Sequence, residues 1–141
     1  KQGTANAEKL YREIFDYVIA GTVYDDALEA ATLDRSLSGE MYVNRSAYGA
    51  LVTGSTICNG YSRAFKVLCD EFDVPCWVVL GTKGGQAHTW NLVLIDGAPF
   101  YVDCTRADVN GETENAFLFN ERSLEEQGYE ISPAIIVPGR E

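Results

Sequence analysis

Between residues 61 and 72 the apolar side chains fall at Tyr61, Ala64, Phe65, Leu68 and Phe72. That spacing puts them on one face of a helix. Cys58-Asn59-Gly60 then forms the helix N-terminus, and Pro75 forbids continuation past Asp73. An earlier stripe of Leu10, Tyr11, Ile14, Tyr17 and Val18 predicts a core-covering helix over about Ala7–Ala20, stopped at Gly21. Ala27 to Ala31 reads as a short helix, and Ser36 to Glu40 as a loop. Beyond Pro75 the period changes. Cys76 to Leu80 (CWVVL) is rich in β-formers and predicts a strand. Thr82 to Ala87 reads as a glycine loop, His88 to Ile95 as a second strand, and Phe100 to Thr105 as a third. Asp96-Gly97 between the last two is a hairpin signal. After Thr105 the chain turns polar through Arg106 to Glu114. Ala116 to Phe119 is a short apolar piece, Glu121 to Gln127 a helical turn, and Ile135 to Val137 an edge strand. Helices on an antiparallel sheet make an α+β protein.

At 141 residues, 46% of them apolar, the chain fits one domain, with its core over about residues 24–108 and a helix at about 7–20. A net charge of −10 makes nucleic acid and anionic membrane poor partners, and no apolar run reaches the ~20 residues of a membrane span. The sequence opens at Lys1 without a signal peptide, which leaves room for one already removed. The four cysteines include no CxxC pair, and one histidine completes no usual zinc set with them, so neither a metal nor another cofactor is expected. With Cys58 kept as a thiol, Cys69, Cys76 and Cys104 allow at most one disulfide; packing roles are expected for all three.

Three residues combine into chemistry. A thiol becomes a strong nucleophile once it loses its proton, and a helix N-terminus favours the thiolate. Cys58 stands there. His88 is the only histidine, and Asp103 lies in the following strand. Nucleophile, base and a carboxylate to orient the base are the parts of an activated thiol. A two-residue turn at Asp96-Gly97 pairs Ile95 with Ala98, sets His88 opposite Thr105 and Asp103 opposite Trp90, and leaves His88 and Asp103 as diagonal neighbours on one face. A four-residue loop keeps that face but separates them, and a three-residue loop puts them on opposite faces. Taken singly, each has an ordinary alternative: a buried cysteine, an exposed histidine, a loop-tying aspartate. Backbone N–H groups at the helix start could hold an oxyanion. Tyr48, Asn59 and Trp90 are further candidates for oxyanion or substrate contact, with packing the simpler role for Tyr48 and Trp90. Gly60 is read as keeping the helix entrance open for substrate.

These residues resemble the transglutaminase-like superfamily of papain-like thiol enzymes. The resemblance rests on Cys58-Asn59-Gly60-Tyr61 with Ala64 and Phe65, the Val74–Gly81 block, His88 with Trp90 and Asn91, and Tyr101 with Asp103 and Thr105. It extends from about Tyr48 to Asp108, more weakly from Tyr24, and is most similar to small bacterial members. It implies a Cys-bearing helix packed on an antiparallel sheet that carries His and Asp. It also implies Cys58 as nucleophile, His88 as base, Asp103 as orienting acid, and an extracellular or cell-surface setting. Arg106 stands where many small members have Trp, and the paired CxxC zinc motifs of the peptide-deglycosylating relatives are absent. The expected function is a cysteine-dependent peptidase or amidase acting on a peptide or protein. Transglutaminase acyl transfer to an amine and a non-catalytic scaffold are the alternatives.

Overall fold

The computed structural model describes residues 4–33 and 44–133. Helix α1 (Thr4–Ala20) leads through the two-residue strand β1 (Val23–Tyr24) into α2 (Asp26–Leu33). A turn of wide helix at Gly49–Thr53 precedes β2 (Ser55–Thr56), which pairs in parallel with β1. Helix α3 (Cys58–Glu71) follows at once. The main sheet is built from β3 (Cys76–Lys83), β4 (Gln86–Ile95), β5 (Ala98–Val102), β6 (Phe117–Phe119) and β7 (Tyr129–Ile131). Short helices α4 (Cys104–Asn110), α5 (Thr113–Ala116) and α6 (Glu121–Glu126) fill the connections. The strand order is β6-β5-β4-β3-β7, and every pairing in this sheet is antiparallel.

Alternation along β4 explains the two-sided core. Val93 and Ile95 face α1 and α3 and join Tyr11, Phe15, Val18, Tyr61 and Phe65. Trp90 and Leu92 face the other way and join Val79, Tyr101, Phe119, Leu124 and Tyr129. Asn91 points toward α3 and is fully buried; its Nδ2 donates to the Ser62 carbonyl at 2.9 Å, tying sheet to helix.

The α3 stripe is as expected at Tyr61, Ala64 and Phe65, but Phe72 is exposed and Cys69 is buried in its stead. Phe72 is already the C-cap residue, where the helical period no longer applies. On α1, Tyr17 is likewise exposed, and Phe15 is the buried ring. The expected glycine loop at Thr82–Ala87 is a tight hairpin. Gly84 and Gly85 both have positive φ (59° and 83°), so Lys83 pairs directly with Gln86. The third strand is shorter than expected and ends at Val102. Asp103 instead caps α4 by accepting the Arg106 N–H, so Cys104 and Thr105 are helical. The anticipated loop at Ser36–Glu40 and edge strand at Ile135–Val137 lie outside the described residues. No helix among the described residues is long and apolar enough to cross a membrane.

Candidate active site

Cys58 is the first residue of α3 and follows extended Ile57, so the thiol stands at the positive end of the helix. The position of β2, one residue upstream, is fixed by Gly60. A Cβ there would fall 1.9 Å from Thr56 Oγ1. Gly60 is buried against β2, so its role is to admit Thr56 and not to clear a path for substrate, as the sequence suggested.

The hairpin register is the one a two-residue turn requires. Ile95 pairs with Ala98 and Asn91 with Val102. Regular pairing stops there, one step before the expected Trp90–Asp103 pair, yet His88 Nε2 lies 2.9 Å from Asp103 Oδ2. Asp103, 1% exposed, holds both oxygens in use: Oδ1 accepts the Arg106 N–H, and Oδ2 accepts the Tyr129 hydroxyl at 2.6 Å in addition to His88. With Nε2 committed to the carboxylate, Nδ1 is the ring nitrogen left to interact with Cys58, which shares both pockets with His88.

The electrostatics follow from this chain of contacts. Burial disfavours charge on Cys58, but the His88 hydrogen bond and charge, joined by Thr89, outweigh it and hold the thiol below its ordinary 9.0. Burial likewise opposes charge on His88. Its bonds to Asp103 and Cys58 prevail and raise the imidazole from 6.5 to about 10. Asp103 is kept below the ordinary carboxyl range: desolvation pushes it up, while His88, Tyr129 and the Arg106 N–H pull it further down. The arrangement favours a thiolate–imidazolium pair at neutral pH. Cys69, Cys76 and Cys104 are buried thiols; the neighbouring Cys76 and then burial push Cys69 up, and burial pushes Cys104 up.

Cys58 and His88 line two adjoining pockets. One, about 250 Å³, is walled by Ile57, Leu80, Gly81 and Ala87; the other, about 360 Å³, by Lys83, Gln86, Thr105, Arg106 and Asn110. Tyr24 and Glu29 border both. Asn59 lines the first pocket, its Oδ1 accepting the Thr89 hydroxyl at 3.2 Å, which leaves its amide N–H groups available. Tyr48 is 52% exposed and lines neither pocket. Trp90 is 1% exposed and lines neither pocket; it packs beneath the site, its ring 5.9 Å from that of His88. Among the described residues no cluster of His, Cys, Asp or Glu is arranged to hold a metal.

Sequence reading missed Thr89 and Tyr129. Thr89 follows the histidine directly, and alternation would have turned it toward α3. Tyr129 sits in a three-residue strand flanked by polar residues, and no pattern announced it.

No protein-family model and no curated protein matches the sequence. Two solved structures are similar in fold. A TGase is 17% identical with a TM-score of 0.57, over 70% of this chain and 31% of its own. A candidate cysteine protease from Cytophaga hutchinsonii is 14% identical with a TM-score of 0.53, over 92% of this chain and 45% of its own. The chain thus spans less than half the length of either protein. The helix-on-antiparallel-sheet core seen here and its likeness to both proteins identify the fold as transglutaminase-like.

Proposed function

We propose that this protein is a thiol acyl hydrolase, a peptidase or amidase acting on peptide or protein amides through an acyl-enzyme on Cys58. The observation that carries the reading is that Cys58 and His88 line the same two pockets while His88 is hydrogen-bonded to buried Asp103 behind them. The Cys58 thiolate attacks the amide carbon, and the oxyanion is met by backbone N–H groups of the helix start. The C–N bond breaks as His88 gives its Nδ1 proton to the leaving amine, and a thioester remains. Water then attacks the thioester. His88 takes one proton from it, the acid is released, and Cys58 regains its starting state. Asp103 holds the ring and supports its charge without becoming protonated.

A second reading has an observation of its own. Asp26 and Glu29 border the polar pocket beside Cys58, together with Lys83 and Arg106, and offer carboxylates to an incoming amine, and one of the similar folds is a TGase. In that case an amine replaces water at the thioester. One experiment separates the two: mass spectrometry of a peptide library incubated with the protein, with and without a primary amine. Hydrolysed products that vanish in Cys58→Ala support the hydrolase. Glutamine side chains gaining the amine's mass support transfer. Products that persist undiminished in Cys58→Ala end both readings.

A further inference from the structure

The reading of Cys58, His88 and Asp103 given above leaves one group at the site without a role. The Tyr129 hydroxyl donates to Asp103 Oδ2, the same oxygen that meets His88 Nε2. This is a constructed contact. Tyr129 is 2% exposed, and its ring packs edge-on to Trp90 with centroids 4.9 Å apart and tilts toward His88 at 6.3 Å. The Lys83 ammonium lies over the ring at 5.3 Å. The backbone is held too: Tyr129 pairs with Lys83, and Ile131 with Gly81. Gly81 permits that approach, since a Cβ there would stand 2.0 Å from the Glu130 carbonyl oxygen. Arg106, whose Nε donates to Glu112 Oε1 at 2.7 Å, adds a positive charge that acts on the tyrosine hydroxyl. Burial and the Asp103 charge push the phenol far above its ordinary range, so the hydroxyl remains a donor at every working pH.

A carboxylate oxygen with one acceptor direction filled by Tyr129 can receive His88 only along the other. The shared donor also withdraws part of the charge that Asp103 would otherwise spend on the imidazolium. We propose that Tyr129 is a positioning residue, whose hydroxyl fixes Asp103 Oδ2 and tempers its grip on His88, with Arg106 strengthening that donor. The tempering matters because an imidazolium held too tightly is a poor acid toward the leaving amine.

The single histidine makes the test direct. In protein labelled with ¹⁵N-histidine, the ring Nε2–H bonded to Asp103 gives one low-field proton signal. Tyr129→Phe keeps the ring and removes only the hydroxyl. Oδ2 becomes a stronger acceptor, and the signal moves to lower field. Tyr101→Phe is the matched control: it deletes another buried hydroxyl of the same core, bonded to Glu121 Oε1 at 2.8 Å. Its signal stays where the parent's is. If Tyr129→Phe does not fold, Arg106→Gln weakens the same donor and shifts the signal in the same direction by less. Equal behaviour of Tyr129→Phe and Tyr101→Phe overturns the proposal, as does an unmoved signal in Arg106→Gln when that variant is the one measured. A parent ring that is neutral at pH 7 overturns the thiolate–imidazolium reading itself, and this inference with it.

Discussion

Replacing Gly60 with alanine tests how the thiol is held in place. Gly60 is in the first turn of α3, and an ordinary helical glycine gains about 1 kcal/mol on becoming alanine. Here the opposite sign is expected. The added methyl would lie 1.9 Å from Thr56 Oγ1 and 2.6 Å from its Cβ, both far inside contact distance. Thr56 has nowhere to go: it is fully buried, its hydroxyl donates to the Asn44 carbonyl at 2.6 Å, and β2 is paired with β1. Overpacking of this kind costs about 1–3 kcal/mol, and displacing Thr56 from Asn44 adds about 0.5–1.5 kcal/mol. After subtracting the propensity gain, the net loss is about 0.5–3.5 kcal/mol. Urea unfolding of parent, Gly60→Ala, Thr56→Gly and the double variant measures it. The cycle should give a coupling of at least 1 kcal/mol, about the size expected for residues in contact, because glycine at position 56 makes room for the methyl. An unchanged or raised stability in Gly60→Ala would refute the reasoning.

Two further outcomes follow from buried polar contacts. Asp103 has a depressed carboxyl, so its stabilising contribution is present above the unfolded value of about 3.9 and is lost as pH falls through the folded value. Urea midpoints at pH 5, 4 and 3 should therefore fall more steeply in the parent than in Asp103→Asn, and parallel curves would contradict this. Tyr61 is fully buried and donates to the Asp108 carboxylate, joining α3 to α4. Tyr61→Phe should cost about 1.5–3 kcal/mol in the same assay, and a neutral result would count against that bond.

What could be read from the sequence was whatever a short-range rule controls. The α3 stripe at Tyr61, Ala64 and Phe65 is periodicity against one core, and it located Cys58 at the helix start. Asp96-Gly97 imposed the register because both residues take positive φ (53° and 78°), and that register carried His88 and Asp103 to one side. The misses are places where a tertiary contact decides. Asp103 ends β5 because its carboxylate caps α4, and the same side chain serves His88, two uses that residue type alone does not reveal. Gly60 answers to Thr56, and Tyr129 to Asp103, partners that only the folded chain brings near. Phe72 fits an apolar period but sits at the helix end where that period stops, and Tyr17 lies off the face on which neighbouring Val18 is buried.

The central claim is that Cys58 is a thiolate paired with a protonated His88, and the pH dependence of its alkylation tests that most directly. Iodoacetamide labelling followed by peptide mapping gives the rate for each cysteine from pH 9 down to pH 7. An ordinary thiol with a value near 9 loses about 50-fold in rate over that interval, following its thiolate fraction. The account predicts a clearly shallower fall for Cys58, at a rate faster than Cys69, Cys76 and Cys104 throughout, and the return of the steep fall in His88→Ala. A parent rate that drops about 50-fold, or a Cys58 no faster than the three buried thiols, would contradict it.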